Sequence, residues 1–213
     1  MRLERAQEPP FEIVESQEVA RRASIALRSD RVRWPDGEEA DYRVVESPDS
    51  VFVVTFDARG TTVLVRQWRH AWDISAWEVP AGTLEPREDP LAGAQRELQE
   101  EAGLIAEDWK PLGFTRGTAL ITGRQHHFLA RGLSRVQRTP ERYERDMVLR
   151  EIPFEEALEA ALNGTIEHAG TTASLVRAAR ALVNERPYLT LIGVLAVVAL
   201  VIASSRTLWR LFD

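Results

Sequence analysis

The sequence predicts an α/β sandwich. Three observations carry that prediction: β-branched runs at Val51–Phe56 and Thr62–Gln67, one sharply bounded helix at Pro90–Ala102, and a strand followed by two helices beyond residue 147. Sheets and amphipathic helices bury their apolar faces against one another, so this alternation implies mixed layers. Residues 1–10, which include Pro9-Pro10, read as a flexible N-terminus, and residues 11–185 read as one domain. VFVVTF and TVLVRQ flank Asp57-Ala-Arg-Gly60, a turn signal, and are expected to pair as a hairpin. Trp77–Val79 reads as a short strand running into Pro80. His126–Ala130 and Met147–Ile152 read as further strands. Phe154–Leu162 has helical periodicity ending near Gly164, and Thr172–Val183 follows as a helix opening at Thr171 or Thr172.

The central helix can be read from its ends. Asp89 suits an N-cap, Pro90 sits where a missing amide hydrogen costs nothing, and Gly103 stands where a left-handed residue closes the last turn. Leu91, Ala94, Leu98 and Ala102 recur at helical spacing and form one apolar stripe. Glu97, Glu100 and Glu101 project from a neighbouring face, where three carboxylates repel one another. A hard divalent cation such as Mg²⁺ or Mn²⁺ removes that repulsion.

The spacing makes the cluster specific. Gly82, Glu88, Arg96, Glu97, Leu98, Glu100, Glu101, Gly103 and Leu104 fit a glycine, five residues, glutamate, seven residues, then Arg-Glu-apolar-X-Glu-Glu-X-Gly-apolar. This stretch, residues 82–104, resembles the box of the Nudix hydrolases, which cleave nucleoside diphosphates linked to another moiety. Val65–His70 (VRQWRH), Trp77–Gly82 (WEVPAG) and Arg31–Val45 are similar to segments of the ADP-ribose pyrophosphatase-like branch. Phe128–Leu133 and Leu158–Ala173 also resemble it in outline, and the likeness covers roughly Phe11 to Leu182.

The resemblance implies a Nudix-type α/β/α sandwich with a mixed sheet, and a metal-dependent hydrolase. It makes Glu97 and Glu101 the main metal ligands with Glu100 assisting, and adds the backbone carbonyl of Ala81. Arg96 would orient a box carboxylate, Glu88 first, while Gly82, Glu88 and Gly103 shape the box. For the general base the resemblance points to the late acidic stretch, Glu144 before Glu141 and Asp146. Arg69 and Glu78 align with substrate-contacting positions, and a guanidinium suits a phosphate or an adenine face. Trp68 stands where the family usually has tyrosine and reads as core, with a base-stacking surface as the alternative. His126 and His127, on opposite faces of a strand, have no metal-ligand partner in sequence and read as structural. The Pro-Gly element usual after the box in the ADP-ribose branch is absent from Gly117–Arg124, which leaves ADP-ribose open against other nucleotide sugars. A nucleotide-sensing module with the same fold is the alternative to an enzyme, although a sensor has no need of every glutamate.

Composition frames the site. A chain of 213 residues, 44% hydrophobic, buries one good core. The net charge of −6 and scattered arginines exclude a basic stripe, and with it polymeric nucleic acid as substrate. A small nucleotide is the expected partner. With no cysteine there are neither disulfides nor thiolate metal sites. MRLERAQEPPFEIVES lacks the apolar run of a secretory signal, so the domain is expected in the cytoplasm.

At the other end, residues 187–205 (PYLTLIGVLAVVALVIASS) carry no charge and are bracketed by Arg186 and Arg206. As a helix this run spans roughly 28 Å, close to a bilayer's hydrocarbon thickness. It reads as a transmembrane anchor followed by a short tail, 206–213, with an apolar helix buried in a homodimer as the alternative.

Overall fold

Strand β4 (Ser50–Thr55) organises the domain, because every residue from Val51 to Thr55 is buried. Val51 and Val53 point into one apolar core, Phe52 and Val54 into another. Alternation along a strand requires that division, and it forces helices onto both faces. The structure, a computed structural model, describes residues 8–140, 144 and 147–185. Around β4 stand β1 (Glu12–Arg22), β2 (Ile25–Arg33), β3 (Glu39–Glu46), β5 (Thr61–Arg69), β6 (Ile74–Glu78), β7 (Ala81–Thr83), β8 (Leu104–Arg116), β9 (Arg124–Arg135) and β10 (Val148–Pro153). The helices are α1 (Pro90–Ala102), α2 (Phe154–Leu162) and α3 (Ala169–Glu185).

The mixed sheet has the order β7-β4-β9-β8, with β4 and β9 parallel and its other pairings antiparallel. A second sheet is β10-β5-β6, and a third, N-terminal, is β1-β2-β3. Helix α1 covers Val51, Val53 and Phe128 through Ala94 and Leu98. Leu175, Ala178 and Ala181 of α3, with Phe154 and Ala157 of α2, cover Phe52, Val54 and Leu129 on the other side.

The expected hairpin of residues 51–56 with 62–67 does not form. The turn is present, with Asp57 Oδ1 accepting from the amides of Arg59 and Thr61 at 2.9 Å each. The two strands nevertheless leave it for different sheets, because β7 and β9 occupy the edges of β4 while β6 and β10 occupy those of β5. The Thr55 side chain bridges them there: its Oγ1 accepts from the Val63 amide at 2.8 Å and lies 3.4 Å from Thr62 Oγ1.

Helix α1 has the bounds its ends imply. Asp89 accepts from the Leu91 and Ala92 amides, Pro90 opens the first turn, and Gly103 closes the last at φ 63°. Helix α3 begins at Ala169, ahead of the expected Thr171 or Thr172. Its first turn packs closely on the core: a Cβ on Gly170 would lie 2.6 Å from the Phe52 ring. At its far end Glu185 accepts from Lys110 and Arg131, tying the helix to β8 and β9.

Residues 1–7 of the proposed loose N-terminus lie outside the described residues, as does the apolar run 187–205. Among the described residues no helix is long and apolar enough to cross a membrane.

Candidate active site

Glu97 and Glu101 stand one turn apart on α1 and face β7 rather than solvent. Glu97 is 5% exposed and Glu101 1%. Two features of β7 make that burial possible. The Ala81 amide donates to Glu101 Oε2 at 2.8 Å. Gly82 leaves room for the other acid, since a Cβ there would sit 2.0 Å from Glu97 Oε1. Any side chain at residue 82 would therefore displace the Glu97 carboxylate. Glu144 completes a group of three: one carboxylate oxygen from each of Glu97, Glu101 and Glu144 lies within 4.8 Å of the others.

Arg96 braces this cluster from outside. Its Nε and Nη2 grip Glu88 at 2.9 and 3.0 Å, while Nη1 donates to Glu97 at 2.8 Å and Glu100 at 3.0 Å. The pairing of Arg96 with Glu88 is thus as expected, and the same guanidinium also restrains two further box carboxylates. Glu100 is only half-buried and turns toward Arg96, away from the tightest part of the cluster. Ala81, expected to offer its carbonyl, contributes its N–H to Glu101.

The charge balance is unusual. Burial pushes the Glu97 carboxyl up to about 7, against the pull of Arg96 and with the added repulsion of Glu100 and Glu144. Burial raises Glu101 well above the carboxylate range too, with Glu97 and Glu144 adding to it and the Ala81 amide and Arg69 opposing. Glu88, by contrast, is held below its usual value first by its bond to Arg96. Closely set carboxylates are the donor set of a hard divalent cation, which takes oxygen ligands and favours their charged form. The residues present fit such an ion.

A second ionic group flanks the first. Arg69 of β5 meets Glu78 of β6 through two bonds, Nε to Oε1 and Nη2 to Oε2, each 2.5 Å. Glu78 is fully enclosed, so it reaches a ligand only through Arg69, whose side chain is one-third exposed. Burial raises the Glu78 carboxyl, yet its bonds to Arg69 and His168 prevail and hold it below the usual value. His168, absent from the candidate residues of the sequence analysis, stands 2.8 Å from Glu78 Oε2. Trp68 is not a core residue. It is 51% exposed, because the outer half of β5 runs past the cover of the helices.

His126 and His127 point to opposite faces as alternation requires. His127 is buried between Thr115 and Ser174, and burial depresses its ring to about 4. His126 is partly exposed and pairs with Asp49 at 2.8 Å. Glu141 and Asp146, the other two acids considered for the base, lie outside the described residues.

This arrangement, a glycine-backed pair of glutamates on a capped helix with an arginine bracing a third, matches the NUDIX domain model over residues 46–175. The chain belongs to the Nudix family. It is 36% identical over 168 residues to an ADP-ribose pyrophosphatase of Mycobacterium tuberculosis, covering 75% of this chain and 78% of that one. An ADP-ribose pyrophosphatase of Bacillus subtilis is 31% identical over 149 residues, 69% of this chain and 80% of the relative. Among solved structures, an ADP compounds hydrolase superposes with a TM-score of 0.72 at 16% identity, covering 85% of this chain and 98% of that one, which speaks for the fold. The protein is a Nudix pyrophosphohydrolase, and its Nudix helix is α1.

Proposed function

We propose that the chain hydrolyses the pyrophosphate bond of ADP-ribose or a related nucleotide sugar, with Mg²⁺ as cofactor and Mn²⁺ able to replace it. What carries this reading is the group of two buried acids, Glu97 and Glu101, with the half-buried Glu144, since acids gathered within 4.8 Å around two enclosed carboxylates are explained by a cation between them. The relatives named as ADP-ribose pyrophosphatases support the substrate class.

Glu97 and Glu101 are the main ligands, with Glu100 and the Ala81 carbonyl completing the set. When bound, the cation offsets the charge of the diphosphate and of the leaving phosphate. Glu144 acts as general base: it takes a proton from water as the water oxygen bonds to phosphorus and the bridging P–O bond breaks. Arg69 receives the substrate, with Glu78 behind it. Arg96 keeps the box carboxylates apart and oriented, and Gly82, Glu88 and Gly103 fix the backbone around them.

The direct test is to screen the purified protein with Mg²⁺ against ADP-ribose, other nucleotide sugars, dinucleotides and nucleoside triphosphates. AMP release from ADP-ribose, abolished by a chelator, is the expected result. A protein that cleaves none of these with Mg²⁺ or Mn²⁺ would overturn the reading.

Residues 187–205 are proposed to anchor the domain on the cytoplasmic side of a membrane. The full chain should partition with membranes and resist carbonate extraction, while a chain ending at Arg186 should remain in solution and active. Val197→Asp should cost roughly 3 kcal/mol of insertion free energy and weaken anchoring. Native full-length protein recovered from the cytosolic fraction without detergent would instead favour a helix buried in a homodimer.

A further inference from the structure

His168 lies just ahead of α3, outside the box. Its ring is packed between aromatic neighbours, with centroids 5.3 Å from Phe52 and 5.3 Å from Trp72. Its Nδ1 stands 2.8 Å from Glu78 Oε2 and 3.3 Å from the hydroxyl of Thr171, which itself accepts from the Val79 amide at 3.3 Å. The carboxylate of Glu78 is thereby held at both oxygens: Oε1 by Arg69 Nε, and Oε2 by Arg69 Nη2 and His168 Nδ1 together.

Two donors from Arg69 alone would let the arginine and the carboxylate swing as a unit. A third donor, from a ring clamped between Phe52 and Trp72, fixes the carboxylate plane and so the guanidinium plane. The main chain of Arg69 is fixed as well, since its carbonyl accepts from the Trp72 and Asp73 amides at 2.9 and 3.0 Å. Nη1 of Arg69 is left without a hydrogen-bond partner among the described residues, and Glu101 and Glu144 both act on its charge. The guanidinium therefore keeps one donor edge to offer.

We propose that His168 is a positioning residue: acting through Glu78, it fixes Arg69 in the orientation that receives the substrate's phosphate. The inference rests on Arg69 serving as a substrate contact in the proposed hydrolase. A bond to the charged carboxylate is strong enough for its loss to be read in affinity, and a preset arginine loses less freedom on binding.

The test compares His168→Asn with His168→Gln in the full-length chain. The Asn amide nitrogen occupies the place of Nδ1, whereas the Gln amide nitrogen occupies that of Nε2. Two readouts are needed: steady-state kinetics on ADP-ribose with Mg²⁺, and hydrogen exchange of the Arg69 Nε–H followed by ¹⁵N NMR, with the resonance assigned by its loss in Arg69→Lys. His168→Gln is expected to raise KM on the order of tenfold with kcat little changed, and to speed exchange of the Arg69 Nε–H. His168→Asn should keep both near the wild-type values. Equal KM and equal exchange in the two variants would overturn the inference, even if both lowered the melting temperature. Should the wild-type protein cleave no nucleotide substrate, the proposed function falls, and the Arg69 exchange alone still decides whether His168 positions it.

Discussion

Glu101→Gln is expected to lower kcat by about a hundredfold or more while making the metal-free protein more stable at neutral pH. The loss of activity follows from removing charge where the cation must be held, without changing shape. The Gln side-chain oxygen can still accept from the Ala81 amide, so the packing of β7 on α1 survives. The gain in stability follows from burial. Glu101 is 1% exposed and its carboxyl is raised well above the usual range, so folding without a cation either retains a proton or encloses a charge.

Glu97 behaves in the same way and gives the pH window. Its folded value is about 7 against an ordinary 4.5, so between these the folded state binds more protons than the unfolded one. Its contribution to stability is present below 4.5 and is lost as pH rises toward about 7, a change on the order of 3 kcal/mol. Thermal melts in a chelator should therefore show the wild type weakening from pH 5 to pH 8, Glu101→Gln weakening less, and Mg²⁺ restoring the wild type alone. Unchanged turnover in folded Glu101→Gln would remove this residue from the site.

Glu144→Gln should reduce kcat by about a hundredfold with little change in KM, as loss of a general base does. Because Glu144 shares the carboxylate group with Glu97 and Glu101, the decisive companion measurement is the Mg²⁺ concentration for half-maximal rate. A base leaves it unchanged, whereas a ligand raises it. Glu141→Gln should have a much smaller effect on kcat. The opposite ranking would transfer the role to Glu141, and small, equal effects for Glu141, Glu144 and Asp146 would place the base within the box.

Local chemistry was the most legible part of the chain. Asp89 and Gly103 act at the ends of α1 through bonds to residues two to five positions away, and Pro90 by the amide hydrogen it lacks, so these features are written in neighbouring letters. The spacing of Arg96, Glu97 and Glu101 likewise puts them together on α1, although their enclosure needs Ala81 and Gly82 of β7. Pairing partners were not legible, because β4 and β5 look like a hairpin from either side of Asp57–Gly60 while their edges are claimed by strands far along the chain.

Two long strands also escaped notice. Every side chain of β1 is exposed, and β8 carries Asp108, Lys110 and Pro111 at its centre, so neither shows a clean alternation. Trp68 looked like a core residue by type, but its strand outruns the helices. His168 was not singled out, since its meeting with Glu78 exists only once the start of α3 is brought to the end of β6.

The parallel pairing of β4 with β9 sets the order in which this protein can assemble. Asp49 and Arg124, bonded beside that pairing, are 75 residues apart, and the whole box lies in the span between them. Closing so long a segment has an entropic cost that no contact within α1 offsets, and folding rates fall as such distant pairings dominate. Until it closes, Val51 and Val53 give the apolar stripe of α1 no surface on which to dock. The glutamates then remain in water, well separated electrically, with little to gain from a cation. On the proposed reading, metal capture is expected as a late event in folding, with the ion stabilising the finished domain without guiding the search for it.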